Sequence, residues 1–235
     1  PYIENFDPTY SFNSDRSHEV ARLLAAESIV PMKLGDYATI EPGMRVLVMG
    51  PAADDTGVLC GGWTYGWEGC ADSDLGYRCV PEGVTILEGL QAAAEEIGFE
   101  VVTDPDMAES CDLVVICIGE YPYAEWNGDT ASLSITEGSQ VLDGNAEAIR
   151  DAEDLDRPIV TLVVAGRNMI VEDYIDEWDS CYFCYLPGSE GGNGIADILV
   201  GNVPMTGTLP MPYYTSEDDI GTDNFLHDVA WSAAN

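Results

Sequence analysis

Leu113-Val114-Val115-Ile116-Cys117-Ile118-Gly119, followed at once by Glu120, is the stretch that decides the fold. It is short, rich in Val and Ile and without a polar side chain, lacking the polar alternation of a half-exposed strand, so it reads as a strand covered on both faces. Similar runs recur at residues 45–51, 99–102, Ile159–Val164 and 181–186. Helical spacing separates them at 18–30, 85–97 (stopped by Gly98), 137–152, 169–175 and 194–200. In the first of these, Val20, Leu23, Leu24 and Ile29 fall on one side. Alternating elements of this kind predict an α/β fold, a three-layer α/β sandwich with a mostly parallel sheet of about six strands. Residues 208–214 are expected to add an antiparallel edge strand, where Pro210 and Pro212 are tolerated.

With 235 residues and 46% hydrophobic content the chain can bury a full core. Residues 1–17 are expected to be a linker, 18–214 the sandwich domain and 215–235 an acidic tail along the surface. No apolar run approaches the roughly 18 residues of a membrane span, and the first residues do not read as a signal peptide. A net charge of −35 repels nucleic acid and anionic membrane and favours neutral or cationic partners. An extracellular or periplasmic setting is favoured over the cytoplasm. Seven cysteines are too few and too scattered for a small disulfide framework. Cys111, Cys117, Cys181 and Cys184 read as small core residues, and Cys60, Cys70 and Cys79 share one loop-rich stretch able to hold a disulfide.

The junction after this apolar strand is the expected place for chemistry. Glu120 stands where open α/β sheets bind ligands, and Tyr121-Pro122-Tyr123-Ala124-Glu125-Trp126-Asn127-Gly128-Asp129 follows it. Glu120 is the first candidate for a general acid/base because a strand end holds a side chain better than a loop does; Glu125 is its rival. Trp63, with Tyr65 and Trp67 nearby, sits in a glycine-flanked loop where an indole can stack on a pyranose, and Tyr123 and Trp126 share that potential. Gly188-Ser189-Glu190-Gly191-Gly192-Asn193-Gly194 has the wrong spacing for a dinucleotide turn, and its carboxylate would repel a pyrophosphate. It reads as a structural turn, with Glu190 bonded to nearby backbone. His18 and His227 are isolated in the sequence, so no triad is expected. Asp54-Asp55 reads as solvated, and neither metal nor cofactor is expected.

Gly50-Pro51-Ala52-Ala53-Asp54-Asp55, Cys60-Gly61-Gly62-Trp63-Thr64, Gly83-Val84-Thr85-Ile86-Leu87-Glu88-Gly89, Gly119-Glu120-Tyr121-Pro122-Tyr123-Ala124-Glu125, Gly128-Asp129 and Leu186-Pro187-Gly188-Ser189-Glu190-Gly191-Gly192 occur together and in order. As a set they resemble the carboxyl-terminal α/β sandwich domain of glycoside hydrolase family 3, the β-glucosidases and exo-glucanases, over residues 18–212. The resemblance implies a retaining, exo-acting β-glycosidase that removes terminal β-linked glucosyl residues. It also implies a partner barrel domain that supplies the aspartate nucleophile. Within this chain it implies an acid/base at Glu120 and a sugar-facing wall at Trp63.

The chain departs from that pattern in places. No barrel sequence is present, so these residues alone are expected to be inactive. Pro1-Tyr2-Ile3 resembles the segment that leaves the barrel. Gly166-Arg167-Asn168 replaces the usual Gly-Arg-Pro, and residues 229–235 lack the usual closing motif. The alternative reading is a noncatalytic glycan-binding or assembly module on the same fold, for which a homo-oligomer is one expected form.

Overall fold

The computed structural model describes residues 13–227 and the backbone of a two-residue strand at 231–232. In chain order the regular elements are α1 (Asp15–Ser28), β1 (Val30–Leu34), β2 (Arg45–Met49), α2 (Thr56–Cys60), α3 (Asp72–Leu75), α4 (Ile86–Ile97), β3 (Glu100–Val102), β4 (Leu113–Gly119), α5 (Asn145–Glu153), β5 (Ile159–Val164), β6 (Ser180–Phe183), α6 (Gly191–Leu199) and β7 (Trp231–Ser232). They build one seven-stranded sheet in the order β3-β2-β4-β5-β6-β1-β7. Strands β3 to β6 run parallel, β1 runs antiparallel to β6, and β7 runs parallel to β1.

Every residue of β4 is buried, which explains its uniform apolarity. Leu113, Val115 and Cys117 face a layer containing Ile86, Leu90, Ile195 and Ile198, whereas Val114, Ile116 and Ile118 face one containing Ala148, Ile149, Met169 and Trp178. A sheet whose two faces are both apolar needs a cover on each side, and the expected three-layer sandwich results. Thr85 caps α4 with a reciprocal capping box to Glu88, and Gly98 ends it in the left-handed region.

Several boundaries differ from the sequence reading. The antiparallel strand is β1, not residues 208–214. There the two prolines leave a single bridge from Tyr213 to Leu226. β1 was hidden by Pro31, which coincides with a register shift in its ladder with β6. Residues 169–175 are turns, not a helix, and their chain is drawn into a bridge between Ser134 and Ile170. The helix expected over 137–152 shortens to α5, entered through Gly144 at φ 96°.

α1 begins at Asp15, capped by Ser14, so it reaches into the expected linker, whose residues 1–12 lie outside the described residues. Its inward face is also different. Ala25 and Ala26 are buried against α6, while Val20, Leu23 and Leu24 are exposed. Small residues win there because the helices approach closely: a Cβ on Gly194 would lie 2.8 Å from the Cβ of Ala25. Cys70 and Cys79 form a disulfide, and Cys181 and Cys184 are buried free thiols of the core.

Candidate active site

The carboxyl ends of β4 and β5 meet in register, with Gly119 beside Val164. That approach requires glycine, since a Cβ on Gly119 would sit 1.9 Å from the Val164 carbonyl oxygen. Glu120 leaves β4 there and is turned inward, only 4% exposed. Its Oε2 accepts from the Tyr123 hydroxyl at 3.1 Å and from Arg167 Nε at 3.1 Å. Arg167 Nε also donates to the Tyr123 hydroxyl at 2.9 Å, and its Nη1 donates to the Gly128 carbonyl at 2.8 Å. Burial raises the Glu120 pKa above the ordinary carboxylate range, and Arg167 and Tyr123 pull it part of the way back. Burial and the neighbouring carboxylate push the Tyr123 phenol up to about 12.

Glu125 occupies a different environment. It opens a short 3-10 turn, Glu125–Gly128, is exposed, and has φ 49°, a left-handed conformation uncommon for a residue with a side chain. Among the described residues no hydrogen bond engages its carboxylate. The backbone on either side is tied down. The Ala124 N–H donates to Glu68 Oε2 at 3.0 Å, and Gln140 Nε2 donates to the Asn127 carbonyl at 2.7 Å.

An aromatic rim surrounds this turn. Trp126 is 66% exposed and meets Trp67 edge-on with ring centroids 5.1 Å apart. Trp63 is 70% exposed and closes its own loop through a backbone bond to Trp67 at 3.0 Å. That loop leans on residues 122–124, because a Cβ on Gly62 would lie 2.3 Å from the Tyr123 carbonyl. Trp63, Trp126, Tyr65 and Trp67 therefore present open indole and phenol surface. Tyr123 does not, since the Arg167 guanidinium lies 4.3 Å above its ring centroid.

The remaining candidates are absorbed by structure. Gly192 packs α6 against the start of α4, where a Cβ would lie 1.9 Å from the Thr85 carbonyl, so these glycines serve helix packing. His18 is not isolated: its Nδ1 lies 2.5 Å from Glu190 Oε1 and its Nε2 2.6 Å from Asn13 Oδ1. Glu190 thus takes side-chain partners, Asn193 among them at 2.7 Å, and not the backbone expected from the sequence. Asp55 is buried, not solvated, and caps α2 by accepting from the Val58 N–H at 3.0 Å. His227 stacks edge-on against Phe225. Arg167 and Glu68 were missed as site residues. The available signal for Arg167 was its place immediately after a strand end in a chain with only eight Lys and Arg residues.

The fold and the sequence find their counterpart in one family. Residues 27–233 match the model of the glycosyl hydrolase family 3 C-terminal domain. The chain belongs to that family. A lysosomal β-glucosidase of Dictyostelium discoideum is 35% identical over 197 residues, covering 75% of this chain and 23% of that protein. A probable β-glucosidase E of Aspergillus oryzae is 30% identical, covering 86% of this chain and 21% of that protein. The exo-1,3/1,4-β-glucanase of a Pseudoalteromonas species superposes with a TM-score of 0.76 at 26% identity, over 93% of this chain and 27% of that one. The family 3 sandwich domain described here thus spans about a quarter of the length of these relatives, which carry further chain beyond it.

Proposed function

We propose that this chain is the acid/base-bearing domain of a retaining, exo-acting β-glucosidase-like enzyme acting on terminal β-linked glucosyl residues, that a barrel domain carries the aspartate nucleophile, and that Glu125 is the proton donor. One contrast carries the assignment: Glu125 is exposed beside Trp126 between two backbone anchors, whereas Glu120 is 4% exposed and held by Arg167 and Tyr123. The sequence ranking put Glu120 first, and the geometry favours the reverse order. Retaining hydrolysis needs two carboxyl groups about 5–5.5 Å apart across the glycosidic bond. When the nucleophile comes from another domain, the donor has to project from the surface of this one. Trp63 and Trp126 offer faces on which the leaving-group sugar can stack, and Tyr123 serves as a support within the loop.

The test is Glu125→Gln in the intact protein, with Glu120→Gln beside it. Loss of general acid help lowers kcat about 10²–10⁴-fold on substrates with poor leaving groups. Azide should restore turnover of an activated aryl β-glucoside to Glu125→Gln by attacking the glycosyl-enzyme. Undiminished turnover in Glu125→Gln, or azide rescue of Glu120→Gln alone, returns the role to Glu120. The exposed Trp63, Tyr65, Trp67 and Trp126 also favour a second reading, a noncatalytic glycan-binding module. Native mass of the protein from its source separates the two, because the catalytic reading requires a barrel on the same or a companion chain.

A further inference from the structure

We infer that Arg167 and Tyr123 are positioning residues that hold the Glu125 turn in its working conformation; the inference rests on the reading of Glu125 as proton donor. Three points of the chain converge on one planar guanidinium. Arg167 Nε binds Glu120 at the strand end at 3.1 Å and the Tyr123 hydroxyl, before the turn, at 2.9 Å, while Nη1 binds the Gly128 carbonyl, the turn's last residue, at 2.8 Å. The turn Glu125–Gly128 is therefore bracketed by two groups bound to the same side chain.

The slot around Tyr123 is shaped to allow this. A Cβ on Gly166 would lie 2.5 Å from the Tyr123 hydroxyl oxygen, one on Gly128 2.5 Å from its ring Cδ2, and one on Gly62 2.3 Å from its carbonyl oxygen. The side chain is confined by close backbone at Gly166 and Gly128 and by the guanidinium 4.3 Å above its ring, while Gly62 crowds its own backbone carbonyl. Glu125 at φ 49° occupies a conformation that persists when its surroundings over-determine it, and these contacts supply that determination. Lysine cannot substitute, because a single ammonium lacks the planar fork that reaches Glu120, Tyr123 and Gly128 at once. Arg167 Nη2 is buried with no partner among the described residues, so the cluster keeps an uncompensated donor, a cost more natural to a site than to a purely stabilising contact.

The experiment has two arms. In the 235-residue chain, Tyr123→Phe and Arg167→Lys are compared with the parent by hydrogen–deuterium exchange and by the indole resonance of Trp126. Amides of 121–129 are expected to exchange at least about 10-fold faster and the Trp126 signal to shift or broaden, with β4 and α5 unchanged. In the intact protein both variants lower kcat about 10–10²-fold with KM nearly constant, the signature of a misplaced acid. Arg167→Ala recovers turnover in millimolar guanidinium but not in equal sodium chloride. Unchanged loop exchange in both variants, or rescue by either salt alike, overturns the positioning role. Should Glu125→Gln leave turnover intact while the loop still loosens, it is the Glu125 assignment that fails and not the bracing of the turn.

Discussion

Replacing Arg167 by methionine removes the cation held against Glu120 in a setting where the side chains are 16% and 3% exposed. Among the described residues, Glu120 is left with the Tyr123 hydroxyl as its side-chain partner. Breaking a buried ion pair by deleting one member costs about 3–5 kcal/mol. That is a large part of the roughly 5–15 kcal/mol by which a domain is stable, and at a slope of about 2–3 kcal/mol per molar it lowers the urea midpoint by about 1–2 M. The cost depends on pH with a definite sign. Burial raises the Glu120 pKa and Arg167 opposes the rise, so in the variant the folded pKa climbs further above its unfolded value. A carboxyl raised in this way contributes stability that is fully present below the unfolded pKa and is lost as pH rises through the folded one. The gap between variant and parent is therefore narrow near about pH 4 and opens toward neutrality. Urea melts followed by tryptophan fluorescence across that range measure it. Arg150→Met is the control, since Arg150 and Asp151 are 63% and 49% exposed and such a pair is worth about 0.5 kcal/mol or less. A shift in Arg167→Met no larger than in the control, or one that does not vary with pH, refutes the reasoning.

Other perturbations follow from the same structure. Eight Lys and Arg residues face forty-three Asp and Glu residues, so self-repulsion opposes the folded state and its melting temperature should rise as sodium chloride approaches about 1 M, where the Debye length is about 3 Å; a flat or falling curve counts against this. The Glu190 hydrogen bond raises the His18 pKa, so the tie between α1 and the turn before α6 is complete below about pH 6.5 and is lost as pH rises through the folded value. His18→Gln should flatten the pH dependence of stability there, and an unchanged profile would exclude the link. Gly192→Ala forces a methyl to within 1.9 Å of the Thr85 carbonyl unless α4 and α6 separate. Overpacking of about 1–3 kcal/mol should lower the melting temperature by about 3–10 °C, and an unchanged melt would show that the helices slide apart freely.

The parallel core was legible because burial on both faces leaves an unmistakable trace in β4, apolar from end to end, and in β5, apolar at every position but Thr161. Helix α4 was equally plain, with its capping box at Thr85 and its stop at Gly98. Errors gathered where local pattern and tertiary need diverge. β1 carries proline and lysine in five residues and is a strand because β6 offers it an edge. α1 shows its leucines to solvent because a glycine-bearing partner helix admits only alanine at close range. Residues 169–175 have apolar spacing that suits a helix, yet Met169, Val171 and Ile175 are buried from a turn.

The two acids expose a different limit. Position at a strand end argues that Glu120 is held firmly, and the structure agrees, but a firmly held side chain at that point faces the ends of β4 and β5 and meets Arg167. Firmness and accessibility are separate requirements. On the reading proposed above, a donor that must reach a sugar held by another domain needs both: Glu120 is buried against Arg167, whereas Glu125, five residues on, stands exposed on a turn whose Gly128 carbonyl accepts from that same arginine. Periodicity reports which residues are buried along a regular element and carries no information about an irregular turn. Glu68, Gln140 and Arg167 bind the backbone around Glu125 from outside the turn's own sequence, so the contrast in exposure between Glu125 and Glu120 could not be read from local pattern.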